Sequence, residues 1–318
     1  MSQETVYAIA SGKGGVGKTT TTVNIGTALA QAGKRVAVVD VDLGMANLAG
    51  FVSLTPDSTT LHDVLAGDAS IEDATYRLAD NIVAVPSGTG LDEYAEASPE
   101  GLGDVVDELR TAYDYVFLDV GAGISHETVL PLGLADAVLV VSTPEPAAVQ
   151  DSKKTIELTA RANGSVAGLV VTRTHPGSDI SYEEIAARLE IPLLGTIPED
   201  SAARESVYAG TPLVVYNAEG SAAIAYRTLA ADLAGIELAA PTPRSSGDTA
   251  DEPEAETESA QPAADADSTD DADSSATESA TADDDAADVD DASDDDDSSQ
   301  EAAPDDVSSA ITEAESDH

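Results

Sequence analysis

The chain has 318 residues, and its 61 acidic and 14 basic residues give a formal net charge of −47 at pH 7. The absence of cysteine excludes disulfides, thiolate nucleophiles, iron–sulfur clusters and cysteine-ligated zinc. So large an excess of carboxylates repels phosphate backbones and anionic lipid headgroups, which argues against nucleic acid as a partner and against direct membrane binding.

Short apolar segments alternate with helix-like stretches over the first 240 residues. Most of the apolar segments are continuous runs, which is typical of strands buried on both faces. The predicted strands are Tyr7–Ala10, Arg35–Asp40, Asn81–Val85, Tyr115–Asp119, Ala137–Ser142, Ala167–Thr172 and Leu193–Ile197. The predicted helices are Thr19–Gln31, Pro99–Tyr113, Ala147–Ala162, Tyr182–Leu189 and Ala222–Leu233. The pattern predicts an α/β fold, a doubly wound and mostly parallel sheet covered by helices, and it leaves the strand order open.

A glycine-rich loop follows the first predicted strand. Residues Gly12 to Thr19 match G-x-x-x-x-G-K-[ST] between a strand and a helix, as a phosphate-binding loop requires. Glycines let successive backbone N–H groups converge on phosphate oxygens. We expect Lys18 to contact the β- and γ-phosphates and Thr19 to bind Mg²⁺. The predicted nucleotide-binding residues of the loop are Gly12, Lys13, Gly14, Gly15, Val16, Gly17, Lys18, Thr19 and Thr20.

An additional lysine, Lys13, lies inside this loop. The run from Lys13 to Thr20, KGGVGKTT, resembles the deviant Walker A motif of the MinD/ParA family of dimerising ATPases. The resemblance implies a P-loop NTPase fold that uses ATP and Mg²⁺. It also implies a homodimer in which Lys13 reaches the nucleotide of the partner subunit and acts with Lys18 in catalysis. A cation supplied in trans stabilises transition-state charge in the way an arginine finger does.

Two carboxylates, Asp40 and Asp42, follow the second predicted strand. The carboxyl ends of strands form the ligand-binding edge of open α/β sheets, and alternation along an extended segment sends both side chains to one side. The stretch resembles the D-x-D-x-x-x-x-N-L switch I of the same family, which implies that Asp42 positions the attacking water and Asp40 supports the metal region. Two solvated loop aspartates are the open alternative, because chance D-x-D pairs are common in an acidic protein.

A third carboxylate, Asp119, ends the strand Tyr115–Asp119 in the Walker B arrangement. We expect Asp119 to hold Mg²⁺ through water. Gly121 and Gly123 follow it and provide a backbone that can approach the γ-phosphate. The D-x-G-A-G-I-S form and the segment Thr143–Pro146 resemble the branch of the family that regulates flagellar number, whereas the whole pattern is closest to archaeal MinD-like proteins.

The adenine base is expected near the ends of the later strands, on the strength of the same resemblance. It implies base contacts from Arg173 and from the segment Pro198, Glu199 and Asp200. Relatives often carry Asn at the position of Thr172. A turn followed by a helix N-cap at Asp200 or Ser201 explains the second segment equally well.

The composition changes at Pro241. Residues 241–318 hold 28 acidic residues and one basic residue, a net charge of −27, against −20 for residues 1–240. Because the later part has almost no large apolar residues, it cannot offset its chain entropy by burial. We predict an ATPase domain over residues 1–240 and a disordered acidic tail over residues 241–318.

Location and environment follow from the same composition. No basic leader or long apolar run is present, so we expect a cytoplasmic protein that reaches poles or membranes only through a partner. The final residues lack the basic amphipathic helix with which bacterial MinD docks on membranes. Only five lysines occur among abundant carboxylates, which suits a cytoplasm of very high salt and suggests a halophilic source.

These observations favour an ATP-dependent dimerisation switch that positions cellular machinery, such as a division site, a motility complex or a chemosensory complex. Its activator and cargo are unknown proteins. An iron–sulfur scaffold or reductase on this fold conflicts with the absence of cysteine. A ParA-like chromosome or plasmid partitioning ATPase stays open and would require DNA retention at working salt. A nonhydrolysing adaptor also stays open and would release no phosphate at steady state.

Overall fold

The computed structural model describes residues 5–51, 58–90, 95, 97–123, 125–175 and 177–237. The strands are β1 Val6–Ala10, β2 Val36–Asp40, β3 Tyr76–Ala79, β4 Ile82–Val85, β5 Tyr115–Asp119, β6 Ala137–Ser142, β7 Val166–Thr174 and β8 Leu193–Pro198. The helices are α1 Lys18–Gln31, α2 Leu61–Ala66, α3 Leu102–Ala112, α4 His126–Leu134, α5 Pro146–Arg161, α6 Tyr182–Arg188, α7 Ser201–Tyr208, α8 Leu213–Tyr216 and α9 Ser221–Ala234. The predicted tail, residues 241–318, lies outside the described residues.

The strands form one sheet in the order β3-β4-β2-β5-β1-β6-β7-β8. All neighbouring pairs are parallel except β3 and β4, which form an antiparallel pair at one edge. The predicted doubly wound, mostly parallel sheet is therefore confirmed. Because the other strands are parallel, the loops that follow β1, β2, β5, β6 and β7 all leave from the same edge, and the first strand lies between β5 and β6.

Alternate residues of each central strand enter two different hydrophobic clusters. Val6, Ala8 and Ala10 of β1 pack with buried residues of α3, α4 and α6. Tyr7 and Ile9 pack on the opposite face with residues of α1 and α9. Both faces of the sheet are thus covered by helices, which explains why the strand sequences are continuous apolar runs.

Local signals set the end of α1 and the start of α6. Gly33 follows α1 with a φ of 81°, and Lys34 N donates to the carbonyl of Leu29 in the pattern that closes a helix. Ser181 caps α6 by accepting a hydrogen bond from Glu184 N at 3.2 Å. Within the described ranges, no helix is both long enough and apolar enough to span a bilayer.

Candidate functional site

The glycine-rich loop lies between β1 and α1 at the carboxyl edge of the sheet. Gly15 and Gly17 have φ values of 74° and 99°, a conformation that glycine adopts without strain. A side chain at Gly14 or Gly15 would meet nothing within 4 Å, so one side of the loop is open. Gly17 is the N-cap residue of α1, and no side chain there caps the helix. The first N–H groups of the helix have no partner within their own helix. The loop is therefore an open site for an anion at a helix N-terminus.

The opposite side of the loop is held by the protein. The Thr172 hydroxyl donates to the carbonyl of Val16 at 2.7 Å, and Arg173 Nη2 donates to the carbonyl of Gly15 at 2.6 Å. A side chain at Gly12 would lie 2.3 Å from the backbone oxygen of Asp151 in α5, so the start of the loop requires glycine. The predicted loop residues are thus brought together as one ordered segment.

The two lysines of the loop differ in exposure. Lys18, the first residue of α1, is 9% exposed. Burial raises the pKa of both Asp42 and Asp119, and the charge of Lys18 opposes part of that rise. Lys13 is exposed to solvent. The pKa of Glu145 is held below its usual value by a hydrogen bond from Thr143, with smaller contributions from the charges of Lys13 and Arg173. Lys18 thus faces the carboxylates, whereas Lys13 lies on the surface near Glu145.

Asp40 and Asp119 end adjacent strands, and both side chains are buried. Burial raises the pKa of Asp40 to about 6 against hydrogen bonds from the backbone N–H groups of Leu48, Asn47 and Asp42. Burial and the nearby charge of Asp40 raise the pKa of Asp119 to about 8, against a hydrogen bond from the Thr19 hydroxyl and the charge of Lys18. At neutral pH Asp119 therefore keeps its proton unless a cation arrives to replace it, whereas Asp40 is mostly ionised.

Asp42 lies two residues beyond the end of β2 and is half-buried. Burial raises its pKa, against a hydrogen bond from Met45 N at 3.1 Å and the charge of Lys18, while the charge of Glu127 adds to the rise. A Cβ atom at Gly121 would lie 2.9 Å from Asp42 Oδ1. The glycine after the third carboxylate therefore leaves room for the Asp42 carboxyl.

The residues around Asp119 fit a Mg²⁺ ion that is also bound by phosphates. The Thr22 hydroxyl lies 3.4 Å from Asp119 Oδ1, and the Thr19 hydroxyl opposes part of the rise that burial causes in the pKa of Asp119. In the part of the chain that the structure describes, no group of three or more acidic or histidine side chains could hold a metal ion by itself. Mg²⁺ commonly uses one or two protein oxygens and completes its shell with water and phosphate.

The residues predicted to contact adenine lie at the ends of the adjacent strands β7 and β8, where Thr174 and Pro198 are register partners. Arg173 contacts the phosphate loop. Glu199 N donates to the carbonyl of Thr174, and the Glu199 carboxylate lies 3.1 Å from His175 Nε2. Asp200 caps α7 by accepting a hydrogen bond from Ala202 N at 2.9 Å, which is the helix-cap alternative that the sequence left open. Pro198 ends β8. Contacts of these residues with adenine stay a prediction.

Three side chains at this edge were missed as site residues by sequence reasoning. Thr22 falls within a run of four threonines, where nothing distinguishes it, and Glu127 lies in a helix that the pattern did not reveal. Thr172 was noted only as a departure from the Asn of relatives. Its proximity to the loop depends on strand order, which is a long-range property that the local sequence does not encode.

Comparisons with known proteins agree with this geometry. The CobQ/CobB/MinD/ParA nucleotide binding domain matches residues 7–213. An ATP-binding protein of Methanocaldococcus jannaschii is 38% identical over 234 residues, covering 73% of this chain and 89% of the relative. The septum site-determining protein MinD of Bacillus subtilis is 37% identical over 237 residues, covering 71% and 88%.

Solved structures give the same result. The septum site-determining protein MinD of Pyrococcus horikoshii, complexed with Mg-ADP, superposes with a TM-score of 0.68 at 34% identity. The match covers 72% of this chain and 95% of that protein. The eight-stranded sheet, the loop between β1 and α1 and these matches together show that the chain belongs to the MinD/ParA family of nucleotide-binding proteins.

Proposed function

We propose that the protein is a Mg²⁺-dependent ATPase whose ATP-bound form dimerises and positions cellular machinery. The observation that carries the proposal is the buried pair Asp40 and Asp119, which faces Lys18 beside an open glycine loop. Two buried carboxylates and one buried lysine at the end of a phosphate loop suit a site that binds a metal together with a polyphosphate.

Each residue has a distinct task in this proposal. Lys18 neutralises charge on the β- and γ-phosphates, and the loop N–H groups bind their oxygens. Asp119 and Thr19 hold Mg²⁺, which when bound polarises the phosphates. Asp42 orients the attacking water, and its raised pKa favours acceptance of a proton from that water. Asp40 keeps the Asp42 loop in place through its three backbone hydrogen bonds.

The dimerisation step rests on Lys13. Its side chain is exposed on the same loop that would hold the nucleotide, so a second copy of the chain can receive it. Relatives at more than 30% identity carry the name septum site-determining protein, which supports a role in spatial organisation. The remaining partners in this proposal are a protein activator and a cargo, both unknown.

The test compares Lys18→Ala and Asp42→Ala with two matched surface variants, Lys34→Ala and Asp68→Ala. ATP affinity, phosphate release and size-exclusion profiles with ATP and Mg²⁺ are measured for each protein. We expect Lys18→Ala to lose ATP binding, because no other buried cation among the described residues faces the phosphates. We expect Asp42→Ala to bind ATP, release little phosphate and accumulate as a dimer.

The surface variants should behave as wild type. A wild-type protein that shows no ATP affinity in molar KCl with Mg²⁺ would overturn the proposal. An Asp42→Ala protein that stays monomeric while the wild type dimerises would overturn the switch and leave only ATP binding.

A further inference from the structure

Three carbonyl groups of the phosphate loop are each held by a side chain. Ser11 Oγ donates to the carbonyl of Lys13 at 2.7 Å. The carbonyls of Gly15 and Val16 accept from Arg173 and Thr172, at 2.6 and 2.7 Å. The last two donors come from neighbouring residues of β7, more than 150 positions away in the sequence.

These bonds fix the direction of the loop N–H groups. A trans peptide is planar, and its C=O and N–H point in opposite directions. Holding the carbonyl of Gly15 therefore turns the N–H of Val16 away from β7, and holding the carbonyl of Val16 does the same for the N–H of Gly17. A Cβ at Gly14 or Gly15 would meet nothing within 4 Å, so this side of the loop is open. On this side the oxygens of a phosphate would accept hydrogen bonds from the loop N–H groups.

A regular strand could not supply both donors. Successive side chains of a strand point to opposite faces, so Thr172 and Arg173 would diverge. The pairing of β7 with β8 instead shifts register between Val171 and Thr174, and Arg173 has a φ of 53°. A bulge of this kind redirects a side chain, and positive φ at a residue other than glycine marks a position where strain is retained by its surroundings.

We propose that Thr172 and Arg173 are positioning residues that orient the N–H groups of the phosphate loop before a ligand binds. Their effect on nucleotide binding is therefore exerted through the phosphates rather than through the base. This inference rests on the proposed ATP-binding function. It differs from the adenine contact expected at Arg173, because a base contact acts only on ligands that contain a base.

The experiment uses the full chain in molar KCl with Mg²⁺ and two probes, ATP and tripolyphosphate, which has no base. The main variant is Thr172→Val, because valine keeps the shape and charge of this 4% exposed residue and removes only the hydroxyl. We expect its affinity for both probes to fall by the same factor, about tenfold, as for loss of a buried hydrogen bond. Thr172→Ser, which keeps the hydroxyl, should restore both affinities.

Arg173→Gly is the second variant, since glycine accepts the positive φ and the arginine side chain is exposed. This variant too should lower the affinity for ATP and for tripolyphosphate by the same factor. The loss of affinity should persist at 3 M KCl, where screening removes long-range electrostatic attraction. Thermal unfolding of the ligand-free proteins checks that each variant is folded. If Thr172→Val does not fold, Arg173→Gly decides the question alone.

Loss of ATP affinity with unchanged tripolyphosphate affinity would assign these residues to the base and overturn the inference. Unchanged affinity for both probes would overturn it as well. In either case wild-type binding of ATP leaves the proposed function intact, whereas a wild type that binds neither probe overturns the proposed function itself.

Discussion

Asp40 and Asp119 are register partners on adjacent parallel strands, and each is the last residue of its strand. Their side chains are 0% and 2% exposed. Burial, together with a nearby carboxylate, raises the pKa of Asp40 to about 6 and that of Asp119 to about 8. Two carboxyls buried side by side therefore carry a cost in stability when they are ionised and no cation is bound.

The first prediction is that the ligand-free protein loses stability from this pair as pH rises. Because the folded pKa values lie above the ordinary value of 3.8, the folded state keeps protons that the unfolded chain releases. The contribution of the two protonated carboxyls to the free energy of unfolding is complete below about pH 4. It is lost as pH rises through about 6 for Asp40 and about 8 for Asp119. Asp119→Asn removes the larger part of this dependence.

We expect Asp119→Asn to exceed the wild type in free energy of unfolding at pH 8.5, by a few kcal/mol, and the excess to shrink toward pH 5. Denaturant unfolding at both pH values in molar KCl measures this. Asp68→Asn, a change at an exposed carboxylate, should show no such trend. An Asp119→Asn excess that is the same at both pH values would contradict the prediction.

The second prediction concerns Gly121, whose missing side chain makes room for Asp42. Alanine there would place a Cβ 2.9 Å from Asp42 Oδ1, so the carboxyl must move. Displacement of a catalytic group by a fraction of an ångström to one ångström costs up to about 100-fold in rate. We expect Gly121→Ala to lower phosphate release at least tenfold and to leave ATP affinity within a few-fold.

The matched control is Gly44→Ala, in the same loop as Asp42. A Cβ at Gly44 meets nothing within 4 Å, so hydrolysis should stay near the wild-type rate. Equal rates for Gly121→Ala and Gly44→Ala would show that the Asp42 position in the structure does not control hydrolysis.

The sequence was sufficient to predict those features that depend only on neighbouring residues in the chain. Continuous apolar runs located β1, β2, β5 and β6 to within one residue at either end, since strands buried on both faces tolerate few polar residues. The strand ending in Asp40 and the strand ending in Asp119 also followed from their runs, which placed both carboxylates at the correct edge.

Features that depend on pairing were not accessible from the sequence. The edge strand β3, Tyr76–Ala79, alternates in burial and contains Arg77, so it has no apolar run. The helix α4 was not predicted because it contains Pro131, and proline is disfavoured in the interior of a helix. That Thr172 and Arg173 reach the phosphate loop depends on a register shift between β7 and β8, which only the folded sheet determines.

The third prediction concerns Lys13. Its exposure means that its removal takes no buried contact from the monomer, so the thermal midpoint of ligand-free Lys13→Ala should match the wild type. If the lysine acts across a dimer, ATP-dependent dimerisation and phosphate release should both fall at least tenfold. Lys153→Ala, an exposed lysine of α5, is the control for loss of charge. A Lys13→Ala protein that dimerises and hydrolyses ATP normally would exclude a role in trans.

The fourth prediction concerns salt. Residues 1–240 carry a net charge of −20, because their 33 acidic residues far outnumber their 13 lysines and arginines. Screening shortens the range of this repulsion to a few ångströms at molar ionic strength. We expect the thermal midpoint to rise steadily from dilute buffer to molar KCl. A midpoint that is highest in dilute buffer would remove the case for a halophilic source.

The fifth prediction concerns residues 241–318. The two hydrophobic clusters are built from residues between Val6 and Ile236, so the described core closes before Pro241. Truncation after residue 240 should therefore leave cooperative unfolding unchanged and phosphate release within about twofold of wild type. Truncation after residue 220 is the control, because it removes the buried Tyr226 and Leu229 of α9 and should abolish cooperative unfolding. If the shorter deletion also broadens the transition, part of the acidic segment belongs to the folded domain.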